Sequence, residues 1–193
     1  MIEQARPDIV QVGAAVEIFS AADTRALKAE FPRVLIMRSI PVVDDTSIEW
    51  ARAYQQIADF LLLDSHDPGD RQIGALGRPH DWSISRRIVD EVGIPAILAG
   101  GLGAENVGAA IAAVRPAGVD SKTKTDRADG IGKDLEKVRR FRRCGENHHR
   151  KAVARSSTAP LFWMTPNNRN RHCRPGVHPK RRSLSALSAN RGS

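Results

Sequence analysis

Three short stretches hold most of the residues able to do chemistry. Leu61-Leu-Leu-Asp64-Ser ends an apolar run in a carboxylate. Leu98-Ala-Gly100-Gly101-Leu-Gly follows another apolar run with paired glycines, which let the backbone approach a ligand with no side chain in the way. Val119-Asp120-Ser121-Lys122-Thr-Lys-Thr adds a second carboxylate, hydroxyls and two lysines. Gly100, Gly101, Ser121 and Thr123 together offer N–H and hydroxyl donors suited to a phosphate, and Lys122 could neutralise it as a point charge. Each stretch also has a plainer reading. Asp64 would then cap the following loop, the glycines would form a tight turn, and Lys122 and Lys124 would be a solvated pair.

These stretches act together only if the chain between them brings their ends side by side. Apolar runs at residues 8–12, 34–37, 58–64, 96–99 and around Val119 read as strands, the fourth unbroken enough to be covered on both faces. Between them lie helical patterns. Residues 20–31 open with Ser20 and Asp23 as an approximate capping box. Residues 44–57 are amphipathic, with Ile48, Ala51, Tyr54 and Ile57 on one face. Asp81 is the expected N-cap of a helix reaching Val92, with Trp82 packed and His80 at the surface. A helix over 104–114 stops at Pro116, and a last short one spans 133–142. Strict alternation with short connections predicts parallel strands and right-handed crossovers. Five such units fit an open doubly wound sheet or part of a closed barrel. Polar strand ends at Asp64, Gly100 and Asp120 favour the second, because a barrel's last two strands usually hold a phosphate there. The expected fold class is therefore α/β, a partial (β/α)8 barrel, in a chain of 193 residues against about 250 for a typical barrel.

Composition divides the chain in two. From Cys144 onward lie ten of the 30 Lys and Arg and one of the 22 acids, a net charge of +9, leaving residues 1–143 at −1. The basicity thus says nothing about the partners of the body. We expect a partial-barrel domain over 1–143 and a basic tail over 144–193, disordered because it has few apolar residues and no periodicity. The abrupt change also resembles out-of-frame translation. His148, His149, His172, Cys173 and His178 fit no common zinc spacing, so no metal site is assigned. The tail's aromatics Phe162 and Trp163 form one cluster, which predicts non-specific electrostatic contact with nucleic acid rather than a built interface. No apolar run is long enough for a membrane span, the start has no signal-peptide core, and two cysteines without paired spacing predict a reducing cytoplasm.

The ordered pieces Val10-Gln-Val, Leu61-Leu-Leu-Asp64-Ser, Gly74-Ala-Leu-Gly77-Arg-Pro-His-Asp81-Trp82, Leu98-Ala-Gly-Gly-Leu-Gly-Ala-Glu-Asn106-Val, Val114-Arg-Pro-Ala-Gly-Val-Asp120 and Gly132-Lys-Asp-Leu-Glu-Lys-Val resemble the phosphoribosylanthranilate isomerase family, over residues 8–142. The resemblance implies a (β/α)8 barrel catalysing an Amadori rearrangement of a sugar-phosphate substrate, with no metal or organic cofactor. It implies Asp64 as general acid, Asp120 as a contact to the sugar or amine, and Gly100 and Gly101 as phosphate-binding amides. Ser121-Lys122 stands where the commoner family pattern has Ser-Ser-Gly, and Lys122 is expected to meet the phosphate. The family's general base, a cysteine in a Lys-Ile-Cys-Gly-like motif on the first strand, has no counterpart. The chain begins at the equivalent of the fourth strand, and Cys144 and Cys173 match neither family position. We therefore expect a truncated isomerase, inactive or nearly so alone, that self-associates, aggregates or depends on a separate piece through its open strand edges. Two alternatives remain: another sugar-phosphate barrel such as a ribulose-phosphate epimerase, which usually needs metal ligands not seen here, and a non-enzymatic fragment whose tail binds RNA.

Overall fold

The computed structural model describes residues 2–153, with side chains through His148. After a single turn, α1 (Ile2–Ala5), strands and helices alternate: β1 (Ile9–Val12), α2 (Ala21–Glu30), β2 (Leu35–Pro41), α3 (Thr46–Tyr54), β3 (Phe60–Asp64), α4 (Trp82–Glu91), β4 (Ala96–Leu98), α5 (Val107–Val114), β5 (Gly118–Val119), a 3-10 turn (Thr123–Thr125) and α6 (Leu135–Val153). The five strands form one sheet in the order β1-β2-β3-β4-β5, every pair parallel. With no reversal of order the sheet is not doubly wound. Its strands follow one another as they do around a barrel.

The two-residue period of the strands sorts their side chains onto two faces. Ile36, Ile40, Leu61, Leu63, Ala96, Leu98 and Val119 face one way and pack against Ile48, Ala51, Tyr54, Ile84, Ile88, Val107, Ala110, Ile111 and Val114 from the helices. Met37, Leu62, Ile97 and Ala99 form a separate, smaller cluster on the opposite face, joined by Ile9, Phe60 and Ala117. The main core thus lies between the sheet and one layer of helices, and the smaller face corresponds to the inside of a barrel wall.

Local signals set most boundaries. Ser20 and Asp23 form a reciprocal capping box, with the Ser20 hydroxyl accepting from the Asp23 N–H and the Asp23 carboxylate from the Ser20 N–H. Asp81 caps α4 by accepting the Ser83 N–H at 2.8 Å, and Trp82 packs on the core as expected. Arg115 adopts the left-handed conformation after α5, and Pro116 follows. The last helix differs from expectation. It does not stop at Arg142 but runs to Val153, so helix replaces the irregular chain expected over 144–153. Its buried stripe explains why. Phe141 and Gly145 are buried, Cys144 packs on the core, and the His148 ring lies against Gly108 of α5. An Arg142–Glu146 ion pair bridges one turn on the outer side at 2.7 Å. Among the described residues no helix is long and apolar enough to cross a membrane. Phe162, Trp163, His172, Cys173 and His178 lie outside the described residues.

Candidate functional site

Parallel pairing carries the ends of β3, β4 and β5 to one rim. Ala99 donates its N–H to Leu63 O, and Asp120 donates its N–H to Leu98 O, each at 2.8 Å. Asp64 and Asp120 alternate with Leu63 and Val119, so both lie on the face away from the helices. Every residue singled out from the sequence, Asp64, Gly100, Gly101, Asp120, Ser121 and Lys122, lines one cavity of about 20 Å³ at this rim. Ala75 and Gly77 enter the same cavity from the long connection between β3 and α4.

Asp64 is 9% exposed. Its Oδ1 accepts the Ser65 N–H at 2.8 Å and the Ser65 hydroxyl at 3.3 Å. Burial pushes the carboxyl up to about 6, and the nearby Asp120 charge adds to this. The Ser65 hydrogen bonds and Lys122 pull the other way. Asp120 is also raised by burial, against the charges of Lys133 and Lys122 and the Ser121 N–H. A carboxyl near 6 beside a second carboxyl and a lysine can hold and release a proton around neutral pH.

The glycine pair turns with φ of +84° and +58°. A Cβ on Gly100 would stand 2.8 Å from His80 Nδ1 and 3.3 Å from Asp64 Oδ1, and one on Gly101 would stand 2.6 Å from the Arg78 backbone. Glycine is therefore needed for both conformation and closeness. Asn106 braces the turn, accepting the Gly103 N–H at 2.8 Å and donating to Gly101 O at 3.1 Å. Among the described residues the Gly100 and Gly101 N–H groups have no acceptor, which leaves them open to an anion. Ser121 donates its hydroxyl to Leu102 O at 2.6 Å, so that proton is already committed. Lys122 is exposed and its carbonyl is held by Lys133 Nζ at 2.8 Å; Lys124 is exposed and outside the cavity.

Sequence reasoning missed the role of residues 65–81. This loop crosses the rim and pairs with the chain leaving β1. Ala14 and Gln72 form an antiparallel bridge, Ala15 donates its N–H to Arg71 O, and Ile73 donates to Gly13 O, each at 2.8 Å. Gly74 then donates to Ser65 O at 2.9 Å and lies directly over Asp64 Oδ2, where no side chain fits. Gly77 passes beside Thr123. The one available signal was the Gly74-x-x-Gly77 spacing, both residues having positive φ. His80, expected at the surface, is half-buried. Its Nε2 lies 2.7 Å from Ser85 Oγ, its Nδ1 has no partner among the described residues, and burial pushes the ring down to about 4, so it is neutral. Ser85 is fully buried and draws the ring inward.

Comparison with known proteins agrees with this arrangement. The model of the N-(5'-phosphoribosyl)anthranilate (PRA) isomerase family matches residues 1–143. An N-(5'-phosphoribosyl)anthranilate isomerase of Methanosarcina mazei is 40% identical over 116 residues, covering 60% of this chain and 51% of that protein. That of Haloferax volcanii is 38% identical over 135 residues, covering 70% and 56%. This chain thus spans about half the length of the curated relatives it matches. The solved N-(5'-phosphoribosyl)anthranilate isomerase of Pyrococcus furiosus superposes with a TM-score of 0.56 at 29% identity, over 76% of this chain and 66% of that one. The strand order, the rim and the matched residues lead to one conclusion: the chain belongs to the N-(5'-phosphoribosyl)anthranilate isomerase family.

Proposed function

We propose that this chain carries the ring-opening acid and the phosphate-holding rim of an enzyme that rearranges N-(5'-phosphoribosyl)anthranilate to its 1-deoxyribulose product. The observation behind this reading is the convergence of Asp64, Gly100, Gly101, Asp120 and Lys122 on one cavity at three successive strand ends. In this reading the phosphate lies on the open Gly100 and Gly101 N–H groups, with Lys122 neutralising it. Support for a ligand of this class comes from a relative at 23% identity, solved in complex with reduced 1-(o-carboxyphenylamino)-1-deoxyribulose 5-phosphate. Asp64 delivers its proton to the ring oxygen as the C1–O bond breaks and the nitrogen lone pair forms C=N. Asp120 contacts the opened sugar or the amine. Loss of the C2 proton to a base then gives an enolamine that tautomerises to the ketone. Among the described residues no thiol reaches the rim, because Cys144 packs on the helix side. In this proposal residues 1–143 form the isomerase portion, α6 carries it on through the packed Cys144 and Gly145 to Val153, a basic segment follows, and a reducing cytoplasm is the setting.

Titration of the 193-residue chain with inorganic phosphate, followed by amide NMR, tests the site without requiring turnover. Saturable shifts centred on Gly100, Gly101 and Lys122 are expected. Saturable shifts centred elsewhere, or none, count against the proposal. With the full substrate, the chain is expected to be no faster than Asp64→Ala, because among the described residues no thiol reaches the rim to take the C2 proton and such positioned groups are worth about 10²–10⁴ each.

A further inference from the structure

Arg38 is the largest fully buried side chain, yet it lies on the helix side of β2, away from the cavity. Among the described residues it has no carboxylate partner. A buried cation is costly unless its donors are used. Here Nη1 donates to Val12 O at 2.9 Å and to Ala14 O at 2.7 Å, and Nη2 donates to Phe19 O at 3.1 Å, while the buried Nε has no partner among the described residues. The guanidinium carbon stands 4.8 Å from the centroid of the Tyr54 ring, whose hydroxyl donates to the same Phe19 carbonyl. All three carbonyls belong to the end of β1 and the chain just beyond it. That chain is also what the loop over the rim pairs with, through Gly13, Ala14 and Ala15. The loop continues from Ile73, which is buried, to Gly74, whose backbone covers Asp64 Oδ2.

We propose that Arg38 is a positioning residue for Asp64: it fixes the tip of β1, the tip docks residues 71–73, and these hold Gly74 over the Asp64 carboxyl. Only a planar fork of donors reaches carbonyls at three positions of a turning chain. Met in its place would leave them unpaired, and Lys would serve them only in part. The inference rests on the reading of Asp64 as the acid. The groups that face Asp64 from the neighbouring elements are Ser65 at its own strand end, His80 beside Gly100, Asp120 just past the end of β5 and Lys122 beyond it. None of these is altered by changing Arg38.

The test follows the Asp64 carboxyl carbon by NMR against pH in the full chain, in Arg38→Met, Arg38→Lys and Ala15→Pro. Amide exchange at Ile73 and at the sheet position Ala99 is measured alongside. Ala15→Pro deletes the N–H that pairs with Arg71 and leaves Arg38 intact. Expected in Arg38→Met and Ala15→Pro is a fall of the Asp64 midpoint by about one pH unit or more towards the ordinary carboxylate range as water enters. Exchange at Ile73 should rise about tenfold or more while Ala99 is unchanged, because only the loop opens. Arg38→Lys should fall between, and it carries the test if Arg38→Met does not fold. An arginine that serves only core stability would lower the unfolding midpoint and leave both readouts unchanged, and that result overturns the inference. An unperturbed Asp64 midpoint in the parent chain would instead sink the acid reading itself. In that case faster Ile73 exchange in the variants still confirms the docking link, and unchanged exchange removes it.

Discussion

Asp64 concentrates the pH dependence of this protein. Its folded carboxyl sits at about 6 against 3.8 for the ordinary group, so the folded state holds the proton more tightly than the unfolded chain does. Its contribution to stability is fully present below 3.8 and is lost as pH rises through about 6. Asp64→Asn has no charge to bury. Urea unfolding is expected to show it gaining on the parent by about 2.4 kcal/mol between pH 4 and pH 8, whereas a constant difference would mean that Asp64 is not desolvated. Gly101 gives a second residue-scale prediction. Both Gly101→Ala and Gly69→Ala force a positive φ, but only Gly101 meets backbone, that of Arg78, while Gly69 has nothing within 4 Å. Urea midpoints should therefore place Gly101→Ala below Gly69→Ala by about 1–3 kcal/mol. Asp64, the glycine pair and Asp120 were legible in the sequence because an apolar run ending in a small or acidic residue marks a strand tip. His80 was not. Its burial depends on a hydroxyl one turn into the next helix, and a polar residue in a loop gives no sign of such a partner.

At the scale of elements, caps and periodicity were read well and the last helix was not. The Ser20–Asp23 box and the Asp81 cap are local, so sequence spacing suffices for them. Residues 141–148 carry a narrow stripe of one phenylalanine, a cysteine, a glycine and a histidine, and their polar neighbours hide it. Gly108 of α5 leaves room for the His148 ring of α6, and this closeness becomes visible only with both helices in place. Phe141→Ala is expected to cost about 3 kcal/mol in chemical unfolding, as a buried aromatic in a packed core. A loss near zero would show that α6 is not docked. The loop over the rim escaped sequence reading for a different reason. Its hydrogen bonds run to the chain after β1, and a pairing between irregular segments leaves no period to detect.

For the whole molecule, alternation of strands and helices identified five parallel units but could not order them. Right-handed crossovers serve a doubly wound sheet and a barrel wall equally. The order was decided by the apolar positions, which let α2 to α6 share one face of the sheet. Among the described residues β1 and β5 each pair on one side only, so each presents a row of backbone donors and acceptors. We expect sedimentation to show a mass that rises with concentration as these rows find partners. A single monomeric mass at every concentration would contradict this.

The bridge between Ala14 and Gln72 joins parts of the chain that are far apart in sequence and contributes nothing to the sheet itself. Closing such a distant pair is a late and reversible event, since its entropic cost must be met by only a few bonds. The crown of the molecule should therefore breathe as one cooperative unit above a sheet that stays shut, giving small solutes a way in that needs no wider unfolding.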